Sequence, residues 1–114
     1  MHLPRLPSIN YKPEVDLDEL IEQAVYESKV LDDLGYTGVI VENYGDYPYS
    51  KRVVDPLILS SMSIITREVV RNPGFKVGVN LLRNSGREAY AIAVTTKARF
   101  IRVNTLVDTI LSDS

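Results

Sequence analysis

The chain contains no cysteine, and His2 is its single histidine. The lack of cysteine excludes disulfides, iron–sulfur clusters, thiolate zinc sites and cysteine nucleophiles. A single histidine excludes a metal site built from several imidazoles. No apolar run approaches the roughly 20 residues that a membrane-spanning helix needs, and prolines and charges interrupt the first seven residues, where a signal peptide would need an apolar core. We therefore expect a cytoplasmic protein.

A surplus of positive charge is also missing. Lys and Arg number 13 against 15 Asp and Glu, which gives a net charge of -2. Nucleic-acid binding requires clustered Lys and Arg, so we expect no nucleic-acid partner. The 114 residues are 45% hydrophobic and 25% charged, a composition typical of one ordinary globular domain or a piece of one.

Three amphipathic helices are predicted from capping signals that precede apolar residues at the helical period. Asp16 with Glu19 forms a capping box before the first helix, and Asp55-Pro56 places a cap and a first-turn proline before the second. Gly35 marks the end of the first helix. The predicted helices cover 16–34, 55–71 and 85–97.

Three apolar strands alternate with these helices, which implies right-handed crossovers and a parallel sheet. One strand face is wholly apolar, as expected under a layer of helices. The strands cover 38–42, 76–82 and 99–104, and the apolar face consists of Val39, Val41, Val77, Val79, Leu81, Ile101 and Val103. No GxGxxG or Walker pattern favours a doubly wound nucleotide-binding sheet.

The opposite strand face is mixed, and its polar members lie toward the carboxyl ends of the strands. It consists of Ile40, Glu42, Gly78, Asn80, Leu82, Phe100, Arg102 and Asn104. One covered face and one face with polar tips are typical of the wall of an α/β barrel, whose active site forms at the carboxyl ends of the strands. We therefore expect Glu42, Asn80, Arg102 and Asn104 to converge, with His2 and Asp46 near the rim.

Four segments resemble, in order and in spacing, the signature segments of the BtpA family of TIM-barrel proteins. They read MHLPRLP at 1–7, GYTGVIVENYGDYPY at 35–49, GVNLLRN at 78–84 and FIRVN at 100–104. The resemblance implies a partial TIM (β/α)8 barrel, with three to four βα units and parallel strands in this chain. The best-known member of the family is a cyanobacterial factor for photosystem I accumulation, and no reaction is firmly assigned to the group.

Members of that family are usually more than twice as long as this chain. The resemblance therefore implies that residues 1–114 are a single domain, the N-terminal portion of a barrel, with strand one nearly absent and strands five to eight missing. Arg5 and Asn84-Ser85-Gly86 depart from the family pattern, and the lost acid at position 85 argues against an acid or metal role there. Half a barrel has open sheet edges, so we expect self-association or a companion half-barrel.

Three residues are candidates for catalysis. Glu42 suits a general base or a metal ligand, Arg102 suits a clamp for phosphate or carboxylate, and His2 suits an acid or base. The structural alternative for Glu42 and Arg102 is an internal ion pair. His2 has the alternative of a disordered terminal side chain.

Six further residues are candidates for substrate binding. The amides offer hydrogen-bond donors and acceptors, and backbone amides where the third helix begins attract anions. The alternatives are caps at strand ends and, for Asp46, a metal ligand beside Glu42 or a turn formed with Gly45. The six are Asn43, Asp46, Asn80, Arg83, Asn84 and Asn104. No metal is assigned, and the sequence names no cofactor.

Three functional classes follow from these residues and from the resemblance. The first is an enzyme acting on a small polar or phosphorylated metabolite. The second is a non-catalytic assembly or stability factor, as the cyanobacterial family member suggests. The third is a truncated gene product without activity of its own.

Overall fold

The computed structural model describes residues 1–8, 16–43, 55–71, 76–81 and 86–102. These residues form helices and strands that alternate along the chain, so the predicted α/β class is confirmed. The elements are α1 (Leu17–Asp33), β1 (Gly38–Glu42), α2 (Pro56–Arg71), β2 (Lys76–Asn80), α3 (Gly86–Thr96) and β3 (Phe100–Ile101).

The helix α1 begins and ends at its predicted signals. The side chain of Asp16 accepts a hydrogen bond from the backbone N–H of Glu19, with a nitrogen–oxygen distance of 2.9 Å. This bond satisfies one of the N–H groups that the first turn leaves without a helical partner. Gly35, directly after the C-cap Leu34, has φ +94°. A glycine reaches that angle without steric cost, and the helix stops there.

The helix α2 also begins at its predicted cap. Asp55 Oδ1 accepts a hydrogen bond from the backbone N–H of Leu57 at 2.9 Å, and Pro56 occupies the first helical position. Proline is favoured there because no helical partner exists for the N–H that it lacks. The buried side of α2 faces the sheet and consists of Ser61, Met62, Ile65, Thr66 and Val69.

The sheet is parallel, with strand order β1-β2-β3, as predicted. A fourth stretch joins it beside β1, because His2 forms a parallel bridge with Glu42. Leu3 N–H donates to the Glu42 carbonyl at 2.8 Å, and Glu42 N–H donates to the Met1 carbonyl at 3.1 Å. Residues 1–3 therefore add a short parallel pairing beside β1, where the sequence analysis expects a nearly absent strand one.

The two faces of the sheet differ as the strand pattern predicts. The face under the helices forms the core, and its strand residues Val39, Val41, Val77, Val79 and Leu81 are buried. On the opposite face Phe100 is 41% exposed. The helices pack side by side in the order α1, α2, α3. Within the described residues, no helix has the length and apolar character needed to cross a membrane.

Candidate functional site

The carboxyl ends of β1 and β2 bring Glu42 and Asn80 together. The two residues are register partners in adjacent parallel strands, and both are buried. Asn80 Nδ2 donates a hydrogen bond to Glu42 Oε2 at 2.6 Å. A charge-assisted hydrogen bond of this kind compensates a buried carboxylate for its lost hydration. The alternation of side chains along the strands placed both residues on one face of the sheet, where the structure shows them in contact.

His2 supplies the second partner of the Glu42 carboxylate. Its Nε2 lies 3.1 Å from Glu42 Oε1, and the bridge between the two backbones holds them side by side. The side chain of His2 is 62% exposed, whereas that of Glu42 is 12% exposed. The imidazole is thus the member of the cluster that an entering molecule meets, and the carboxylate lies behind it.

The backbone around the cluster is held by further contacts. The amino group of Met1 donates to the Ile40 carbonyl at 2.8 Å. Burial lowers the pKa of that amino group, against the opposing attraction of the Glu42 and Glu27 carboxylates. Asn43, the residue after β1, is fully buried. The strand end that carries Glu42 is therefore pinned on the side of residues 1–3 as well as on the side of β2.

An open hollow of about 560 Å³ lies over the mixed face of the sheet. Its lining includes His2, Glu42, Ile40, Lys76, Phe100 and Arg102. Arg102 N–H donates to the Val79 carbonyl at 2.9 Å, which continues the β3 pairing one residue past Ile101. Arg102 therefore reaches the level of Asn80, and this exposed residue belongs to the lining of the hollow.

The floor of the hollow is formed by an aromatic ring over a glycine. Gly78 and Phe100 are register partners, and a Cβ added at Gly78 would collide with the Phe100 ring. The missing side chain leaves room for the ring to lie against the neighbouring strand. The alternation of side chains along the strand placed Phe100 on this face, but no sequence pattern indicated that its ring covers Gly78.

The predicted site residues divide by where the structure places them. Glu42, Asn80 and His2 are in contact, and Arg102 shares their hollow. Asp46, Arg83, Asn84 and Asn104 lie outside the described residues. The structural alternative was an ion pair of Glu42 with Arg102, but in the described part of the chain Glu42 Oε1 contacts His2 and Oε2 accepts from Asn80.

The direct contact of His2 with Glu42 goes beyond the prediction, which placed His2 at the rim. This contact could have been predicted from the sequence, because His2 follows the first strand of the resembled family and Glu42 ends the second. The carboxyl ends of neighbouring parallel strands meet at one edge of the sheet. Aligning the two strand ends would therefore have paired the residues.

The cluster has the parts needed for proton transfer and anion binding. An imidazole transfers protons near neutral pH, and a carboxylate on one ring nitrogen fixes the orientation of the ring. A guanidinium binds phosphate or carboxylate in a bidentate manner. Among the described residues, no group of three or more His, Asp or Glu side chains is placed to hold a metal ion.

Comparison with known proteins gives a family match over the whole chain. The model of the BtpA family matches residues 1–114. An uncharacterised protein of Pyrococcus horikoshii is 43% identical over 114 residues, which cover 99% of this chain and 43% of that protein. Photosystem I biogenesis protein BtpA of Synechocystis is 40% identical over 98 residues, which cover 86% of this chain and 34% of that protein.

The similarity extends to a eukaryote. An uncharacterised mitochondrial protein of Caenorhabditis elegans is 32% identical over 118 residues, which cover 99% of this chain and 42% of that protein. The chain therefore spans less than half the length of the relatives that it matches. No solved structure matches it.

Proposed function

The chain belongs to the BtpA family, and on that premise we propose that it contributes part of the active site of a (β/α)8-barrel enzyme that acts on a small polar or phosphorylated metabolite. The observation that carries the proposal is the Glu42 carboxylate, held between His2 and Asn80 at the carboxyl ends of neighbouring parallel strands. Barrel enzymes place their reacting groups at this end of the strands.

The exposed fractions of the side chains in the cluster indicate which role each residue has in the proposed chemistry. His2 is the exposed member, so we assign proton transfer with the substrate to its imidazole. Glu42 is buried behind it and orients the ring through Nε2. Asn80 fixes the other carboxylate oxygen and so holds the whole set in one geometry. A purely structural pair has no need of an imidazole that faces the hollow.

The class of substrate follows from the rest of the hollow. Arg102 is an exposed cation on its lining at the level of Asn80, and a guanidinium is suited to a phosphate or carboxylate group. The substrate-binding roles of Asn43 and Asn80 stay part of the hypothesis, although both residues are buried and the Asn80 amide donates to Glu42. The proposed substrate-binding roles of Asp46, Arg83, Asn84 and Asn104 remain part of this hypothesis.

The proposal treats residues 1–114 as one domain, the N-terminal portion of the complete barrel. The relatives are more than twice as long as the matched region, which leaves length for the remaining βα units. The support within this chain is the parallel order of residues 1–3, β1, β2 and β3. Consecutive parallel strands with all helices on one side are the repeating pattern of a barrel wall.

Thermal denaturation with a panel of sugar phosphates, nucleotides and small carboxylates tests the enzyme hypothesis. The panel is applied to this chain and to the longer relative from Pyrococcus horikoshii. A ligand that binds the folded state raises the melting temperature, by an amount that grows with its concentration over Kd. We expect a shift that disappears in His2→Asn and Glu42→Gln variants and persists in Asp32→Asn, which changes an exposed acid on α1. A panel without any shift in either protein would contradict the proposal.

A role in assembly without chemistry is the second candidate. The name of the Synechocystis relative, a photosystem I biogenesis protein, favours it. The two candidates differ in what they require of the cluster. In the Synechocystis protein, replacement of the residues equivalent to His2 and Glu42 should lower photosystem I if chemistry is needed. Normal photosystem I with both residues replaced would favour the assembly role.

A further inference from the structure

Four residues form a polar row across the carboxyl ends of the described strands. His2 forms a parallel bridge with Glu42, and Glu42 is the register partner of Asn80. The backbone N–H of Arg102 donates to the Val79 carbonyl at 2.9 Å, which places Arg102 beside Asn80. The polar row therefore takes one residue from each neighbouring strand, in the order His2, Glu42, Asn80, Arg102.

The two ends of the polar row are exposed, and its middle is buried. The side chain of His2 is 62% exposed and Arg102 is also exposed, whereas Glu42 and Asn80 are buried. Asn80 Nδ2 donates to Glu42 Oε2 at 2.6 Å, so the two middle side chains bond to each other. A molecule that lies along the polar row therefore makes its side-chain contacts chiefly at the two ends.

An apolar row lies below the polar row, two residues earlier on β1, β2 and β3. It consists of the register partners Ile40, Gly78 and Phe100. Side chains two positions apart share a face of the sheet, so both rows belong to the same hollow. None of these three side chains can form a strong hydrogen bond. The apolar row thus excludes water beneath a bound molecule, whose polar groups then find partners in the polar row.

The two ends of the polar row differ in chemistry. The guanidinium of Arg102 is suited to bidentate binding of a phosphate or carboxylate. The imidazole of His2 is suited to proton exchange near neutral pH. The polar row therefore has a direction, with a proton-transfer group at one end and an anion-binding group at the other.

The spacing of the strands limits the length of a molecule that reaches both ends. Neighbouring strands lie about 4.8 Å apart, so the backbones of His2 and Arg102 are separated by roughly 14 Å. The imidazole occupies the first interval, because its Nε2 lies 3.1 Å from Glu42 Oε1. Roughly 10 Å then remain, from which a hydrogen bond of about 2.8 Å is subtracted at each end. The rest fits a molecule on the order of four or five bonds long, at about 1.2 Å per bond.

We propose that the substrate lies across the strands along the polar row, with its anionic group at Arg102 and its proton-exchanging group at His2. This inference rests on the proposed function and narrows the substrate to a short metabolite with these two groups at opposite ends. A phosphorylated or carboxylated hydroxy compound of about two to four carbon atoms has this form.

Lys76 provides a matched control for Arg102. It is also an exposed cation that lines the hollow. However, it begins β2, whereas Asn80 ends that strand. At about 3.3 Å per residue, the backbone of Lys76 lies roughly 13 Å from the polar row, beyond the screening length of about 8 Å at physiological ionic strength. The anion is therefore assigned to Arg102 and not to Lys76.

Titration of the chain with 2-hydroxyethyl phosphate and with ethyl phosphate, followed by nuclear magnetic resonance, tests this orientation. The two esters differ only in the hydroxyl group. His2 is the single histidine, so its ring signals report one end of the polar row without overlap from other imidazoles. The phosphorus signal of the ester reports the other end. We expect the hydroxyl group to lower Kd by roughly threefold to tenfold, the effect of one hydrogen bond.

Three substitutions assign the ends of the ligand. In His2→Ala, both esters should bind with equal Kd, because the partner of the hydroxyl group is gone. Arg102→Gln should raise both Kd values by roughly tenfold or more and leave their ratio unchanged. Lys76→Gln should change both by less than about twofold. Far-ultraviolet circular dichroism checks that each variant keeps its helices.

A second pair of ligands identifies the anionic group. 3-Hydroxypropanoate and propanoate carry a carboxylate in place of the phosphate and again differ only in the hydroxyl group. Tighter binding of the phosphate pair assigns a phosphate to Arg102, and tighter binding of the carboxylate pair assigns a carboxylate. Both results agree with the orientation along the polar row.

Three other results would overturn the inference. A hydroxyl effect that persists in His2→Ala would place the hydroxyl group elsewhere. A loss of affinity in Lys76→Gln as large as that in Arg102→Gln would place the anion at the opposite end of β2. Saturable binding of none of the four ligands would remove the short substrate. In each case, thermal shifts from the broader panel that depend on His2 and Glu42 would leave the proposed function standing, whereas a panel without any shift contradicts that function itself.

Discussion

The two faces of one short sheet obey different rules, although the same strands build both. On the covered face, valines alternate with residues of the other face and are buried under three helices. On the open face, a buried carboxylate and amide lie above a glycine and a half-exposed aromatic ring. On the open face, the type of side chain thus differs from one strand position to the next, whereas on the covered face each position requires only apolar volume.

This contrast indicates how the chain separates the face that stabilises the fold from the face that carries the candidate site. The covered face gains free energy from apolar burial, at about 25 cal/mol per Å². On the open face, the burial of polar groups costs part of that free energy, and these groups require hydrogen-bond partners. Glu42 obtains two partners from the neighbouring strands, and the backbone pairing that positions them comes from the sheet itself.

The largest expected effect lies on the covered face. Ile65 on α2 is fully buried in the core, and its neighbour Ile64 is 46% exposed. Ile65→Ala should lower the free energy of unfolding by roughly 2 to 5 kcal/mol, because it removes apolar contacts and leaves a cavity. Ile64→Ala should change it by about 0.5 kcal/mol or less. Urea denaturation of both variants checks the pair, and equal losses would place the core elsewhere.

Alanine substitution at two glycines of the open face should distinguish a backbone neighbour, which cannot move, from a side-chain neighbour, which can. A Cβ added at Gly38 would lie 2.6 Å from the Lys76 carbonyl oxygen, whereas one at Gly78 meets the Phe100 ring. Backbone in a strand pair cannot move away, so Gly38→Ala should cost roughly 1 to 3 kcal/mol. Gly78→Ala should cost less, since the ring can turn toward solvent.

A double-mutant cycle checks the role of the ring. In a Phe100→Ala background, the cost of Gly78→Ala should disappear, because the colliding atoms are gone. The free energy of unfolding of the four proteins is measured by urea denaturation. An unchanged cost in that background would mean that the strain comes from the backbone at Gly78 and not from Phe100.

A smaller effect of opposite sign is expected inside the covered face. Thr66 is fully buried, and its hydroxyl has no hydrogen-bond partner among the described residues. Thr66→Val keeps the shape and removes the unsatisfied group, so it should raise the stability by about 1 kcal/mol. Ser61→Ala, on the same helix, serves as a control for altered helix propensity. A loss of stability in Thr66→Val would show that the hydroxyl has a partner.

Much of this fold was predictable from local sequence. Asp16 and Gly35 marked the ends of α1 because capping and left-handed backbone depend on single residues. The parity of the strands assigned each residue to a face, since side chains alternate along extended backbone. The parallel order followed from the alternation of helices and strands.

The contacts across the site were harder to predict. Parity placed Glu42 and Asn80 on one face, but the register that makes them partners depends on the whole β1–β2 pairing. His2 belongs to a stretch of three residues that pairs with β1 without any strand pattern of its own. Its contact with Glu42 therefore comes from tertiary structure, which no local propensity reports.

The proposed role of Glu42 on the open face requires that its carboxylate contributes little to folding. The free energy of unfolding of Glu42→Gln, measured by urea denaturation at the same protein concentration as the native chain, tests it directly. Gln preserves the shape and still accepts from Asn80, and the contact with the exposed His2 is worth little to stability. We predict a change within about 0.5 kcal/mol. A loss of roughly 3 to 5 kcal/mol, as expected for a broken buried ion pair, would contradict the claim.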